Sequence, residues 1–548
     1  MKQLRSRFVP AALALAALSV AACEQTPFTP GESASGGYTA IDPGPSAVEY
    51  TGAIRIGVVP NASSVRLAAE GAWELVEKAS GDVVQTGTGG ELTVTLVTAA
   101  RPDTIWRLQV GCYSFSATAR SLLAEWQTRA TNLGYITWTE DVGTVCTRAR
   151  LQNTSGSNAW GSRNTFRNQA IADGVAGTDS YWPTPPEIVT GGAVFRVTGG
   201  SEPVEVNGGA VLRSADDRVL INGEPYRGTG EVVINGNMTL AGVNSLPMEE
   251  YLYGVVPREL PPVPYGELEA LKAQAVAART YAMRGLGKRA SNGYDLLPTT
   301  TDQVYGGLDA EHPLSSQAVD ETAGIVATYN GALIEALYSS TSGGFTANNE
   351  EVYTSDPVPY LRGVPDAQRG NSFEHVPTLD VFKRHANARS LRAYKAGDFE
   401  ADWSRYHRWT FEWTAEEITR SISAYAEEDV GTVHAINVLE RGPSGRALSI
   451  EYVTDAGTFE DTKDGIRSSL KFVDEDGDLN SLLSTLFYIE PVVDRQTKEV
   501  TGFVAWGGGW GHGVGLSQTG AVEMGKRGWS YDEILKHYYQ GIALESAY

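Results

Sequence analysis

Cysteine is scarce in this chain. Only Cys23, Cys112 and Cys146 occur in 548 residues, which excludes a disulfide-dense scaffold, and two or three thiols cannot by themselves build a zinc site. Histidine is nearly as rare, with seven scattered copies. There is no HExxH pair and no GxSxG elbow, and the glycine run Gly507 to Gly515 lacks the GK[ST] ending of a phosphate loop. Cationic residues are in deficit: 44 Lys and Arg against 66 Asp and Glu give a formal charge of −22. Such a surface cannot neutralise phosphates, so nucleic acid is excluded as a partner, while a sugar-like ligand is not. Beyond the first 23 residues no run of eighteen apolar residues occurs, which argues against a transmembrane helix.

What is present argues for a multidomain α+β chain. The length suggests about three or four domains. A hydrophobic content of 42% with 20% charged residues can fill real cores, and the 60 glycines point to strands, turns and close backbone approaches rather than helical bundles. Lys2, Arg5 and Arg7 precede an apolar run, Val9 to Ala22, that ends in Val20-Ala21-Ala22-Cys23. Small residues before a cysteine resemble the lipobox of bacterial lipoproteins; a plain secretory signal is the other reading. The expectation is a lipoprotein leader over 1–23, with lipidation at Cys23, export to the cell envelope and anchoring on the periplasmic face. Residues 24–45, rich in Pro, Gly and Ser, read as a flexible tether. In such an oxidising compartment Cys112 and Cys146 are expected to form a structural disulfide, since they lack the CxxC spacing of a redox pair.

Strand alternation marks residues 46–102 as a β-rich module (AIRIGVV, SVRLAA, ELTVTLV). In the next stretch, 103–180, TIWRLQVGCYSF reads as a strand. It is followed by an amphipathic helix over Ser116 to Gly134, with Ala119, Leu122, Leu123 and Trp126 at helical spacing, and then by the strand YITWTED. This order resembles the sporulation-related repeat (SPOR), which implies binding to glycan strands stripped of their peptides; an unrelated α+β module without a ligand is the alternative. From about residue 190 onward, β patterning with Asn-Gly pairs at 207–208, 222–223 and 235–236 predicts hairpins. A helix is predicted over Glu267 to Arg284, with Leu268, Leu271, Ala275, Ala278 and Ala282 on one stripe and Lys272 and Arg279 two turns apart on one face. A short helix near Ser315 to Thr322 follows, then strands GIVATYNG and ALIEALYSSTSGG. Residues 366–430 read as helix-prone and charged, carrying Trp403, Trp409 and Trp413. Two C-terminal helices are predicted at Ser517 to Lys526 and from the capping box at Ser530.

Three features could carry chemistry. Glu259 lies in VPRELPPVP, where Pro257, Pro261 and Pro262 restrict the backbone and Val255, Val256 and Leu260 flank the carboxyl. Partial desolvation favours a protonated carboxyl, which suits a general acid; a plain salt bridge to Arg258 or Arg279 is the competing reading. His512 sits between Gly511 and Gly513, accessible to a ligand or bonded to its own loop. Ser339 to Gly344 is a hydroxyl-rich run, either a sugar contact or a turn.

Taken in order, LPMEEYLYGVVPRELP, ALKAQAVAARTYAM, TDQVYGG, YSSTSGGFTANNEEVY, PYLRGV and GWGHGVGLSQTGA resemble the SpoIID/LytB family (stage II sporulation protein D and amidase enhancer) over about residues 190–545. The resemblance implies a mixed α+β catalytic domain over 190–548. It implies a peptidoglycan lytic transglycosylase that cuts the β-1,4 bond between N-acetylmuramic acid and N-acetylglucosamine of peptide-stripped strands, leaving 1,6-anhydro ends. Glu259 would carry the catalytic acid role. Lys272, Gln274, Arg279, Tyr338, Ser340, Ser342, His512 and Gln518 would contact or position the glycan. The family's other branch implies a non-catalytic glycan-binding enhancer of an N-acetylmuramoyl-L-alanine amidase. Some members hold zinc through Cys and His in the segment matched by TTTDQVYGG; here Asp302 takes the Cys place and no His is supplied, so no metal or other cofactor is expected. Leu516 and Thr519 also depart mildly from the family pattern.

Overall fold

The computed structural model describes residues 53–99, 192–366 and 403–548 except 475; between 100 and 191 it describes 103–105, 107–113, 117–142, 146–152, 160–177, 180 and 187–189. The leader, Cys23 and the tether lie outside the described residues. Among those described, no helix is long and apolar enough to cross a membrane.

Two six-stranded antiparallel sheets pack face to face near the N-terminus. One runs in the order Ile54–Ala62, Leu240–Leu246, Thr229–Ile234, Ala210–Ser214, Ala72–Glu77, Val83–Thr88. The other runs Val204–Asn207, Val194–Thr198, Glu91–Thr98, Ser64–Ala68, Arg218–Ile221, Glu224–Arg227. Val65, Leu67, Leu92 and Val94 from one sheet meet Leu75, Leu212 and Val232 from the other in one core. The separate β-rich module expected over 46–102 is therefore corrected: its strands are interleaved in both sheets with those of 194–246, and neither stretch has a sandwich core without the other. Period-2 patterning identifies a strand's buried face but not its partner. Glu231 stitches the two stretches together, accepting from Arg55 at 2.7 Å and Lys78 at 2.6 Å.

The Asn-Gly signals resolve differently. Asn222 and Gly223 take φ of 54° and 96° and close a two-residue hairpin, Ile221 facing Glu224. The 235–236 pair lies in the longer turn after Ile234, which faces Leu240. At 207–208 there is no hairpin: the chain crosses from one sheet to the other, and Asn207 binds Glu77 Oε1 through its backbone and its side chain, both at 2.7 Å.

An α+β unit is inserted between the halves of the sandwich, its ends paired as Asp103–Ile105 with Glu187–Val189. Its sheet runs Arg107–Tyr113, Cys146–Gln152, Ile136–Val142, accompanied by helices α1 (Ala117–Asn132) and α2 (Trp160–Ala172). Trp126 packs on the small core as expected, its Nε1 donating to the Val175 carbonyl at 2.8 Å, and Leu123 is buried, but Leu122 is exposed. In register, Cys112 stands opposite Arg148 and Cys146 opposite Val142.

The largest core surrounds helices α3 (Met248–Glu259), α4 (Leu268–Arg284) and α5 (Pro313–Asp320). Helix α4 is buried nearly all round: Ala273, Gln274, Val276 and Ala277 are as inaccessible as the anticipated stripe. That is the pattern of a central helix, and its many alanines let neighbouring backbones close in. The VPRELP segment closes one helix and leads into the next, α4. Pro257 lies inside α3 and Glu259 is its last residue; proline there forfeits one intrahelical hydrogen bond, a cost of about 3 kcal/mol that the surrounding core must offset.

After the short helix α6 (Asn349–Val352), residues 409–507 form a further α+β unit. It contains sheets Trp409–Thr414/Val500–Gly507/Phe487–Val493 and Val433–Arg441/Ala447–Thr454/Gly457–Thr462, with helices α7 (Ala415–Ala426) and α8 (Gly465–Ser469). Trp409 and Trp413 thus lie on a strand, not in the helix-prone stretch expected there, because both indoles fill a sheet-borne core; much of that stretch, 367–402, lies outside the described residues. The chain ends with α9 (Gln518–Lys526) and α10 (Tyr531–Tyr538), the latter opened by the expected Ser530/Glu533 capping box.

Candidate functional site

Four segments meet at the end of α3. Glu259 is 2% exposed, and its Oε1 accepts from the Val304 N–H at 2.9 Å, so the acid does not stand in bulk solvent. Gln518, at the start of α9, donates from Nε2 to the Glu259 carbonyl at 2.9 Å and to Gln274 Oε1 of α4 at 3.2 Å. One buried amide therefore ties the glycine-rich C-terminal motif to both helices. Gln303 Nε2 donates to the Ala278 carbonyl at 3.2 Å and to the Tyr338 hydroxyl at 3.1 Å, while Tyr251 donates to Gln303 Oε1 at 3.2 Å. The TDQV loop is thereby fixed between the helices, which sets where the Val304 N–H points.

The YSSTSGG and GHGVGLSQ segments run side by side. Tyr338 pairs with Leu516 and Ser339 with Ser517 in parallel register, and Thr341 exchanges backbone hydrogen bonds with Trp510. Thr519 N–H donates to the Ser340 carbonyl at 3.0 Å, and its hydroxyl meets Thr341 Oγ1 at 3.2 Å. Gly513 (φ 79°) is required twice. Its backbone is left-handed, and a Cβ there would lie 2.1 Å from Arg446 Nη2. Arg446, from the 409–507 unit, is fully buried and donates to the carbonyls of Phe345 and Ser342 at 3.0 and 2.8 Å. It braces the hydroxyl-rich loop from below.

Of the residues expected to carry the site, Glu259, Gln274 and Gln518 are brought into direct contact. Tyr338 joins through Gln303 and Ser340 through Thr519. The others have different surroundings. Arg279 is fully buried and spent on structure: Nε and Nη2 bind Glu249 at 2.9 and 2.5 Å, and further N–H groups reach the Ile325 and Val319 carbonyls. This also removes Arg279 as the salt-bridge partner that could have explained Glu259. Lys272 is held by Glu269 and Glu321, each at 2.7 Å. Ser342 donates to Asp366 Oδ2 at 2.5 Å, and Tyr538 holds the other oxygen of Asp366. His512 is 3% exposed; its Nδ1 accepts from the Val514 N–H at 3.0 Å, so the imidazole closes its own loop. Burial pushes its pKa down to about 4, so the ring is neutral at physiological pH and does not act there as a cationic acid. Residue spacing alone did not single out Gln303, Thr341, Thr519 or Arg446. Gln303 was visible only as part of TDQVYGG, and Arg446 carried no sequence signal.

The zinc that the family resemblance allows does not fit. Asp302 is fully buried and already bound by Lys288 Nζ at 2.6 Å, Arg289 Nε at 2.9 Å and the Leu297 N–H at 2.9 Å. Burial opposes its charge, but the two cations more than offset that and hold its pKa below the usual carboxylate value. Among the described residues no three His, Cys, Asp or Glu side chains cluster as metal ligands.

Residues 236–329, which carry α3, α4 and Val304, match the family model of Stage II sporulation protein (SpoIID). The chain is 31% identical over 335 residues to an uncharacterised protein of Brachyspira hyodysenteriae, an alignment that covers 61% of this chain and 75% of that one. The chain belongs to the SpoIID/LytB family. Other relatives include the Amidase enhancer of Bacillus subtilis, 32% identical over 384 residues (64% of this chain, 51% of the other), and Stage II sporulation protein D of the same organism, 28% identical over 321 residues (56% and 76%). This SpoIID/LytB chain thus spans about half the length of the Amidase enhancer it matches. Residues 347–515, including His512 and Arg446, match a second model, a domain of unknown function (DUF8618).

Proposed function

We propose that this SpoIID/LytB-family chain acts on the bacterial cell wall as a peptidoglycan lytic transglycosylase, with Glu259 as its single general acid and base. The observation that carries the reading is the fixed, water-excluded carboxyl of Glu259, held by the Val304 N–H on a helix end that Gln518 clamps to α4. The protonated carboxyl gives its proton to the oxygen linking N-acetylmuramic acid to N-acetylglucosamine, and the C1–O bond breaks. The 6-hydroxyl of the same muramoyl residue then attacks C1 and its proton passes to the Glu259 carboxylate. The acid is regenerated and a 1,6-anhydro end remains, so no water is consumed. Hydrolysis would need a second carboxylate for water or the sugar. Asp302, Glu351 and Asp366, buried carboxylates in or beside the motif segments, are committed to Lys288 and Arg289, to Asn348 and Ser444, and to Ser342 and Tyr538, which favours the one-carboxyl route.

The 32% identity to the Amidase enhancer supports a second reading, in which the chain binds glycan and stimulates a cell-wall amidase without cutting. Under both readings the chain works in the envelope, with a lipid anchor at Cys23 and the inserted unit around α1 and α2 as a SPOR-like glycan tether. Mass spectrometry of products from peptide-stripped glycan, with wild type and Glu259→Gln, separates the two. Anhydro-muramyl ends that vanish in the variant mean transglycosylase; bound but uncut strands with both proteins mean enhancer.

A further inference from the structure

Four aromatic side chains from three distant parts of the sequence gather beside the clamp. Tyr265, just past the Glu259 segment, packs on Trp403 with ring centroids 5.5 Å apart, and Tyr406 packs on Trp510 at 4.2 Å. Trp403 and Tyr406 stand three residues apart in one segment and so join the two pairs into one row, beside which burial and, next, the Tyr406 phenol raise the pKa of the Tyr265 hydroxyl. The row is built onto the site. Trp510 is the backbone partner of Thr341, whose hydroxyl lies 3.4 Å from Ser404 Oγ, and the Gly509 N–H donates to the Tyr406 carbonyl at 2.8 Å. Trp403 is 37% exposed, and its Nε1 is fixed by Glu523 of α9 at 3.2 Å. Two cations lie over the rings in a chain whose net charge is −22: Arg405 at 4.6 Å from the Tyr406 centroid and Lys526 at 4.5 Å from that of Trp403.

Part-exposed aromatic rings offer negative faces to partly positive C–H groups, and a pyranose presents a face of C–H groups. A guanidinium and an ammonium beside such faces suit a carboxylate carried on the same sugar. We propose that Tyr265, Trp403, Tyr406 and Trp510, with Arg405 and Lys526, form a stacking subsite for an acidic amino-sugar strand, in which the rings take the sugar faces and the cations take the lactyl carboxylates exposed when peptide stems are removed. This rests on the proposed glycan substrate but not on cleavage.

The test uses the full chain carrying Glu259→Gln, titrated with peptide-stripped peptidoglycan strands and with neutral chitooligosaccharides of matched length, and read by tryptophan fluorescence and co-sedimentation. Trp403→Ala and Tyr406→Ala should each weaken binding of the stripped strands about tenfold, the loss expected when a stacked ring is removed. Trp403→Phe should recover most of it. The exposed Lys526→Ala, with Arg405→Gln, should weaken stripped strands several-fold and leave chitooligosaccharides within twofold. If the alanine variants bind like the parent, or the parent binds no glycan, the subsite is wrong, whatever products wild type releases. If binding depends on the row while wild type yields no anhydro ends, the subsite stands and the transglycosylase reading falls. Melting temperatures confirm folding; should Trp403→Ala unfold, the surface pair Lys526→Ala and Arg405→Gln decides through its selectivity between the two glycans.

Discussion

The side-chain amide of Gln518 donates to the main-chain carbonyl of Glu259, 259 residues away in sequence, at 2.9 Å. The last turn of a helix leaves its carbonyls without intrahelical donors, so this bond both satisfies the helix end and fixes the residue that bears the acid. Replacing Gln518 by Ala leaves that carbonyl and Gln274 Oε1 without this donor. The expected cost is about 1–3 kcal/mol in urea unfolding, with loss of most glycan-cleaving activity. A variant with full activity would show that the clamp is irrelevant to the acid.

Glu259→Gln keeps size and an acceptor for the Val304 N–H but cannot supply a proton. It should abolish anhydro-product release by at least about a hundredfold, the lower range for a positioned acid, while the unfolding midpoint stays near that of wild type. Retained product formation would remove Glu259 from the chemistry.

Arg279 should behave as a structural residue. Arg279→Met strips Glu249 of its buried partner and should destabilise by about 3 kcal/mol, detectable by denaturant titration. Glycan affinity of the folded fraction should be unchanged; a selective loss of affinity would restore Arg279 to the binding site.

Acid should weaken the fold in two steps. His512 has a pKa lowered to about 4 by burial, so the unfolded chain binds a proton there first; its contribution is complete above about pH 6.5 and disappears as pH falls to about 4. Burial alone would raise the pKa of Glu231, but Arg55 and Lys78 bring it down to about 2. Its contribution is present above about pH 4.5 and lost toward pH 2. Stability from urea titrations at a series of pH values should decline through both windows, with a slope of at most roughly 1.4 kcal/mol per pH step of one for each group, and His512→Asn should flatten only the upper one.

Chelation should change nothing. With Asp302 bound to Lys288 and Arg289, a strong chelator should leave the melting temperature and glycan binding of the purified protein unaltered, and elemental analysis should find no stoichiometric zinc. Asp302→Asn, by contrast, should destabilise by about 3 kcal/mol, because two cations lose their partner.

Local physics in the sequence was enough for α4, the Ser530 capping box, the Asn222-Gly223 hairpin and the candidacy of Glu259. Each depends on residues within a turn or two of one another, where helical spacing, capping and backbone restriction act directly. It was not enough for the pairing of residues 54–98 with 194–246, because alternation fixes which face of a strand is buried and says nothing of its neighbour. Nor did it reveal that Arg279 belongs to Glu249, that His512 is sealed within its own loop, or that Arg446 occupies the space left by Gly513. Those are contacts between segments tens to hundreds of residues apart. They are decided when the chain closes around α4 and buried polar groups must find partners within hydrogen-bond reach, a constraint that only the packed structure imposes.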